Sequence, residues 1–94
     1  MQTVTHKGNG TIDTPKGRLD VAYFLTVTRT ATAEDGYGYI QSREINFGEL
    51  FAAGRPLDLQ IETGSNLKIV LTSAAGERAV FGSTEGVPGS LFVG

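Results

Sequence analysis

Arg18-Leu19-Asp20-Val21-Ala22-Tyr23-Phe24-Leu25-Thr26-Val27-Thr28-Arg29, residues 18 to 29, alternates with a period of two. Leu19, Val21, Tyr23, Leu25 and Val27 fall on one face. Asp20, Thr26 and Thr28 fall on the other, with Ala22 and Phe24 between them. Alternation carried by β-branched and aromatic residues marks a half-buried strand. Just upstream, Thr14-Pro15-Lys16-Gly17 suits a type I turn with proline at its second position. That turn sets Ile12 opposite Leu19, Asp13 opposite Arg18 and Thr11 opposite Asp20. The first strand partner is thereby placed.

The same period returns downstream. Leu57, Leu59 and Ile61 alternate with Asp58, Gln60 and Glu62. Leu67, Ile69 and Leu71 alternate with Lys68, Val70 and Thr72. A three-residue loop at Gly64-Ser65-Asn66 pairs Thr63 with Leu67, Ile61 with Ile69 and Leu59 with Leu71. A three-residue loop at Ala74-Ala75-Gly76, with a left-handed glycine last, pairs Ser73 with Glu77, Leu71 with Ala79 and Ile69 with Phe81. Residues 56 to 82 therefore read as a three-strand antiparallel meander whose register opposes apolar to apolar.

Four stretches break the pattern. In 37 to 47 the apolar parity switches between Ile40 and Ile45, and a β-bulge near Gln41 to Arg43 restores both to the core. Gly48 to Gly54 is the place for helix, with Gly54 as C′ residue and Pro56 beyond it. Leu50 and Phe51 then plug one end of the sheet. Residues 83 to 94 read as a turn and a last short strand. Ala31 to Gly36 is the candidate mobile loop. Asn9-Gly10-Thr11 matches the glycosylation sequon and reads as a turn.

Strands of this number cannot stay an open flat sheet with wet apolar faces and bare edges. The chain is expected to be all-β: a small antiparallel β-barrel of six or seven strands with one short helical turn. A two-sheet β-sandwich is the alternative. Residues 1–94 form a single domain, since a chain of 94 residues leaves no room for a second. Ile, Leu, Val and Phe make up 25 of the residues, enough for a thin core. With thirteen glycines and eleven threonines, the composition is one of strands and tight turns.

Absences narrow the chemistry. There is no cysteine, so thiol nucleophiles, thiolate zinc sites and disulfides are excluded. His6 is the only imidazole. It is read as an exposed or edge-strand residue, because no serine stands in Gly-x-Ser-x-Gly to complete a triad with it. Three carboxylate pairs, Glu34 with Asp35, Asp13 with Asp20, and Asp58 with Glu62, sit in turns or on polar strand faces. They read as solvated groups rather than an acid–base pair. No calcium loop is present. Gly8-Asn9-Gly10 and Gly36-Tyr37-Gly38 lack the strand before and helix after that a phosphate loop needs. No catalytic, metal or cofactor residue is assigned, and no cofactor is expected. The start of the chain has no apolar stretch of a secretory signal and no run reaches membrane length, so a cytoplasmic location is expected.

A net charge of −2 argues against nucleic acid and anionic membranes as partners. Tyr37 and Tyr39 with Arg43, and Tyr23 and Arg29 on the long strand, offer the only stacking platform for a single strand. The aromatics carry a different expectation. Tyr23 belongs to the core face. Phe24 stands on the polar face of the same strand, and Tyr37 and Tyr39 follow one short loop later. Phe24, Tyr37 and Tyr39 are the expected interaction surface for a protein partner or a second copy of the chain, with a homodimer as one form. The leading expectation is a non-enzymatic binding or assembly module acting through a β surface. A ligand-binding barrel is the alternative and needs an enclosed pocket of several hundred Å³. A single-stranded nucleic-acid binder and a carboxylate-dependent hydrolase rank below it. The hydrolase needs convergent carboxylates of raised pKa in a cleft.

Overall fold

A computed structural model describes residues 1–62, 64–84 and 87–92. The chain folds into a closed antiparallel barrel with strand order β1-β2-β3-β6-β5-β4. The strands are β1 (Gln2–Thr14), β2 (Gly17–Arg29), β3 (Glu34–Gln41), β4 (Leu57–Ile61), β5 (Asn66–Ala75) and β6 (Arg78–Ser83). A short helix, α1 (Phe47–Ala53), joins β3 to β4, and a 3-10 turn, Gly89–Phe92, follows β6. The barrel is all-β with six strands, as expected, and the sandwich alternative falls away with the closure of β1 on β4.

The β1–β2 hairpin has the register that its turn dictates. Ile12 opposes Leu19, Asp13 opposes Arg18 and Thr11 opposes Asp20. Arg18 Nε lies 3.0 Å from Asp13 Oδ1. The odd-numbered side chains of β2 point inward, and Val21, Tyr23, Leu25 and Val27 are buried. Asn9-Gly10-Thr11 is not a turn: β1 runs straight through it. Gly10 is needed for a different reason. A Cβ there would collide with the backbone carbonyl of Gln60 on β4, where the barrel closes.

The meander is present, but its register differs from the expected one at both loops. Leu59 pairs with Leu67 and Leu57 with Ile69, a slip of four residues from Leu59–Leu71 and Ile61–Ile69. The slip preserves parity, so Leu57, Leu59, Ile61, Leu67, Ile69 and Leu71 are all buried. Its cause lies in the loop. Ile61 N donates to Ser65 O at 3.0 Å and Gly64 N donates to Ile61 O at 2.9 Å. Gly64, with φ +94°, thus ends its loop, directly before Ser65, rather than opening one over 64–66. A three-residue loop of this kind takes its left-handed residue last. The expected partner Thr63 lies outside the described residues.

At the second loop Gly76 is left-handed as expected, with φ +62°. The turn is nevertheless the two-residue Gly76-Glu77, closed by Ala75 opposite Arg78. Positive φ at the first position and not at the second is the pattern of a type II′ turn. That loop alone would put Leu71 and Phe81 on opposite faces. A bulge between Leu71 and Ser73 corrects it and pairs Leu71 with Phe81 inside the barrel. The expected pairs Leu71–Ala79 and Ile69–Phe81 become Leu71–Phe81 and Ile69–Ser83.

No bulge occurs at Gln41 to Arg43. β3 ends at Gln41, and the bend that follows turns Ile45 into the core by leaving the sheet altogether. Asn46 caps α1, its Oδ1 accepting from Glu49 N at 3.1 Å. Gly54 closes the helix in the left-handed conformation, φ +66°. The plug at this end of the barrel is Phe47, fully buried, rather than Leu50, which is half-buried, or Phe51, which is exposed.

The opposite end is closed by the tail. Residues 83–94 form no last strand among the described residues. Val87, Leu91 and Phe92 are buried instead as a stopper. Gln2 Nε2 donates to Phe92 O at 2.6 Å. His6 Nε2 lies 2.7 Å from Leu91 O, so that nitrogen carries the ring proton, because a carbonyl only accepts. Arg29 lies over the Phe92 ring at 4.2 Å. Val87 sits 3.5 Å from where a Cβ on Gly36 would stand, an ordinary packing distance, so the stopper packs directly against β3. The expected loop at Ala31 to Gly36 shortens accordingly, since β3 already begins at Glu34 and Gly36 is buried.

Candidate interaction surface

With the interior of the barrel packed by its own side chains, the chemistry left to the chain is on its outside. On β2 the even-numbered residues point outward, and Phe24 is 36% exposed among them. β3 pairs with β2 so that Tyr39 stands directly opposite Phe24 and Tyr37 opposite Thr26. The Phe24 and Tyr39 rings stack at 5.5 Å between centroids, 6° from parallel. On the other side of β3, Val80 of β6 opposes Tyr39, and Arg78 opposes Gln41. The Arg78 guanidinium lies 4.2 Å above the Tyr39 ring. Tyr37 and Val80 are the most exposed hydrophobic members, at 54% and 42%.

Phe24, Tyr37 and Tyr39 therefore do share one outer face of the sheet, and Tyr23 does not. Tyr23 opposes Ile40 on the inner face and is buried. Burial, with a smaller contribution from the Glu62 carboxylate, raises the pKa of its phenol above 10.0. Arg78 and Val80 complete the outer strip and are not legible as members from the sequence. Their place depends on β3 pairing with β6, which joins segments about forty residues apart. Arg43, expected beside Tyr37 and Tyr39, lies beyond the end of β3 and sits 3.9 Å from Glu77. Arg29, expected on the same platform, is on the inner parity of β2 and pairs with Glu34 at 2.7 Å.

Tyr39 is sandwiched. Phe24 reaches it from β2 and Arg78 from β6, the strands on its two sides. Both neighbours compete with a nucleobase for the Tyr39 ring. What the strip presents outward is ring edges, the phenol of Tyr37 and the methyl groups of Val80. Lys7 of β1 opposes Phe24 and borders the strip on one side.

The other chemical candidates are dispersed. Among the described residues no three metal-ligating side chains gather in one place. Glu34 faces Arg29, Asp13 faces Arg18 and Glu49 faces Lys16, each in an exposed or half-exposed ion pair. Ser65 and Ser90 hydrogen-bond to each other at 2.9 Å. A pocket of about 250 Å³ lies outside the barrel, between α1 and the β1–β2 turn, floored by Leu19, Ile45, Leu50 and Leu57. No helix among the described residues is long and apolar enough to cross a membrane. Comparison of the chain with protein-family models, curated protein sequences and solved structures finds no match.

Proposed function

We propose that this protein is a non-enzymatic binding or assembly module that works through the outer surface of its barrel, in the cytoplasm. The surface is the strip formed by Phe24, Tyr37, Tyr39, Arg78 and Val80, and its occupant is a protein partner or a second copy of the chain. The observation that carries this reading is the exposed Phe24–Tyr39–Arg78 stack, spread over three neighbouring strands. Aromatic side chains and arginine are the groups that concentrate binding energy at protein interfaces. A closed barrel has no internal need for them on its outside.

The ligand-carrier reading finds less support. The barrel interior is packed, the pocket beside α1 is about 250 Å³, and the larger hollows, of about 560 and 400 Å³, are open surface grooves rather than the enclosed cavity a carrier needs. The nucleic-acid reading also finds less support, because Phe24 and Arg78 already contact the Tyr39 ring and the chain is net acidic.

The test is capture from the native host and sedimentation of wild type, Phe24→Glu and Tyr37→Ser. The reading expects both variants to stay folded and to lose the captured partner or the self-association. Retention of both properties by both variants, or unfolding of Phe24→Glu, would overturn it.

A further inference from the structure

Lys7, Phe24, Tyr39 and Val80 form one row across the outer sheet, each directly opposite the next. Parallel rows run on either side of it, one through Tyr37 and one through Arg78. The three rows cross β1, β2, β3, β6 and β5, and none of the ten acidic residues of the chain stands in them. They hold two cations, Lys7 and Arg78, both exposed. On a chain of net charge −2 the aromatic strip is thus a local field of positive charge.

The two cations are not engaged elsewhere. Lys16, Arg18, Arg29 and Arg43 each sit beside a carboxylate, whereas among the described residues Lys7 and Arg78 form no ion pair. Arg78 is nevertheless held in place. Its guanidinium lies 4.2 Å over the Tyr39 ring, and its Nη2 donates to Gln41 Oε1 at 3.4 Å. A guanidinium has five N–H donors, so most remain for a carboxylate, whose two oxygens match its fork. The field is also short. On the same outer face Asp35, opposite Thr28, stands two residues from Tyr37, and Asp20, opposite Thr11, stands two residues from Ala22. These acids bound it at its two ends.

We infer that the occupant of the strip is a short acidic segment of another protein, with its carboxylates on Lys7 and Arg78 and an apolar side chain between them against Phe24, Tyr37 and Val80. This rests on the binding-module reading above and names the chemistry of the partner. Lys7 is two strand spacings from Tyr39, over which the Arg78 guanidinium lies. That is about 10 Å, the span of about three residues of extended chain.

Charge separates this occupant from the others. A second copy docked strip to strip about a two-fold axis gathers two Lys7 and two Arg78 with no carboxylate among them, and like charges across an interface oppose it. A nucleic-acid strand brings a row of phosphates that runs past the two cations to Asp35 and Asp20, where it is repelled. A short acidic segment ends where the cationic field ends.

The test selects peptides from a random-sequence library on wild type, on the double variant Lys7→Glu/Arg78→Glu, and on Arg55→Glu, a charge reversal beside α1 and away from the strip. Wild type and Arg55→Glu should select peptides rich in aspartate and glutamate around an apolar residue, and the double variant should lose that preference. The tightest wild-type peptide is then followed by fluorescence anisotropy. Lys7→Gln should weaken it by about two- to fivefold, as for an exposed ion pair, and Arg78→Gln by about tenfold, as for a bidentate one. Circular dichroism checks the folding of every variant, and the glutamine variants keep the test decisive if the double reversal unfolds. No selected peptide, no acidic enrichment, or the same peptides from the double variant would overturn the inference. Displacement of the peptide by an oligothymidylate at equal concentration would make the site one for nucleic acid, and a wild-type dimer that the peptide dissociates would make the occupant a second copy; either result overturns it. Neutral peptides that need Phe24 and Tyr37 but not Lys7 or Arg78 would overturn the acidic occupant and leave the strip as the interface. Acidic peptides that bind Tyr37→Ser and Phe24→Glu as tightly as wild type would overturn both readings.

Discussion

Replacing Phe92 by alanine should remove most of the stopper that closes one end of the barrel. Phe92 is 4% exposed, and Arg29 lies over its ring. A buried phenylalanine hides about 200 Å². At about 25 cal/mol per Å² this is worth about 5 kcal/mol against an extended chain. Residual compactness of the unfolded chain removes about 10–40% of that. The remainder, about 3–4 kcal/mol, agrees with measured phenylalanine-to-alanine losses in cores. The backbone bond from Gln2 to Phe92 O survives the change, and Arg29 keeps its partner Glu34, so neither adds much to the loss. Against a total stability of roughly 5–14 kcal/mol for a domain of this size, the melting temperature should fall by about 12–30 °C. Urea unfolding followed by circular dichroism gives the difference directly. Phe51→Ala, at a 44% exposed site on α1, serves as the control and should lose little. If Phe92→Ala costs no more than Phe51→Ala, the tail does not close the barrel, and Val87, Leu91 and Phe92 are not part of one core.

Leu59→Ala should cost about 2–5 kcal/mol in the same assay, since Leu59 is fully buried between β1 and β5; a loss under about 0.5 kcal/mol would place it on the surface. Gly76→Val should lower the melting temperature clearly, because a β-branched residue is a poor fit at φ +62°, and an unchanged value would argue for another turn. Phe24→Glu should cost less than about 2 kcal/mol, as it loses a stack worth about 0.5–1.5 kcal/mol and places its carboxylate opposite Lys7. Stability should also fall in alkali. The phenol of Tyr23 has a higher pKa folded than unfolded, so its contribution is complete below the unfolded value near 10 and is lost as the pH rises through the folded value. Urea midpoints measured either side of that pH should diverge for wild type and converge for Tyr23→Phe; equal slopes would mean that the phenol is solvated when folded.

Strand faces were legible in the sequence because they depend only on parity. The inner row of β2 and the rows Leu57-Leu59-Ile61 and Leu67-Ile69-Leu71 follow from alternation alone. Register was less legible for the same reason: a slip of four residues leaves every face unchanged, so apolar pairing could not separate Leu59–Leu71 from Leu59–Leu67. The separating signal was local, since Gly64 had to end its loop rather than begin it. The tail misled because Leu91-Phe92 is as short and apolar as a strand end. It is instead a 3-10 turn whose burial is set by the barrel mouth, by Gln2 and His6 far away in sequence. Of the candidate surface, Phe24, Tyr37 and Tyr39 could be placed by parity and a short loop. Arg78 and Val80 join them only through the pairing of β3 with β6, which no local pattern encodes.

Backbone amide shift mapping of the labelled chain tests the central claim most directly, with the protein titrated to millimolar concentration and then with its captured partner. The account predicts perturbed amides on one outer surface, around Phe24, Tyr37, Tyr39, Arg78 and Val80. Perturbations confined to α1 and the β1–β2 turn, around the pocket floored by Leu19 and Leu50, would contradict it and make the protein a ligand binder.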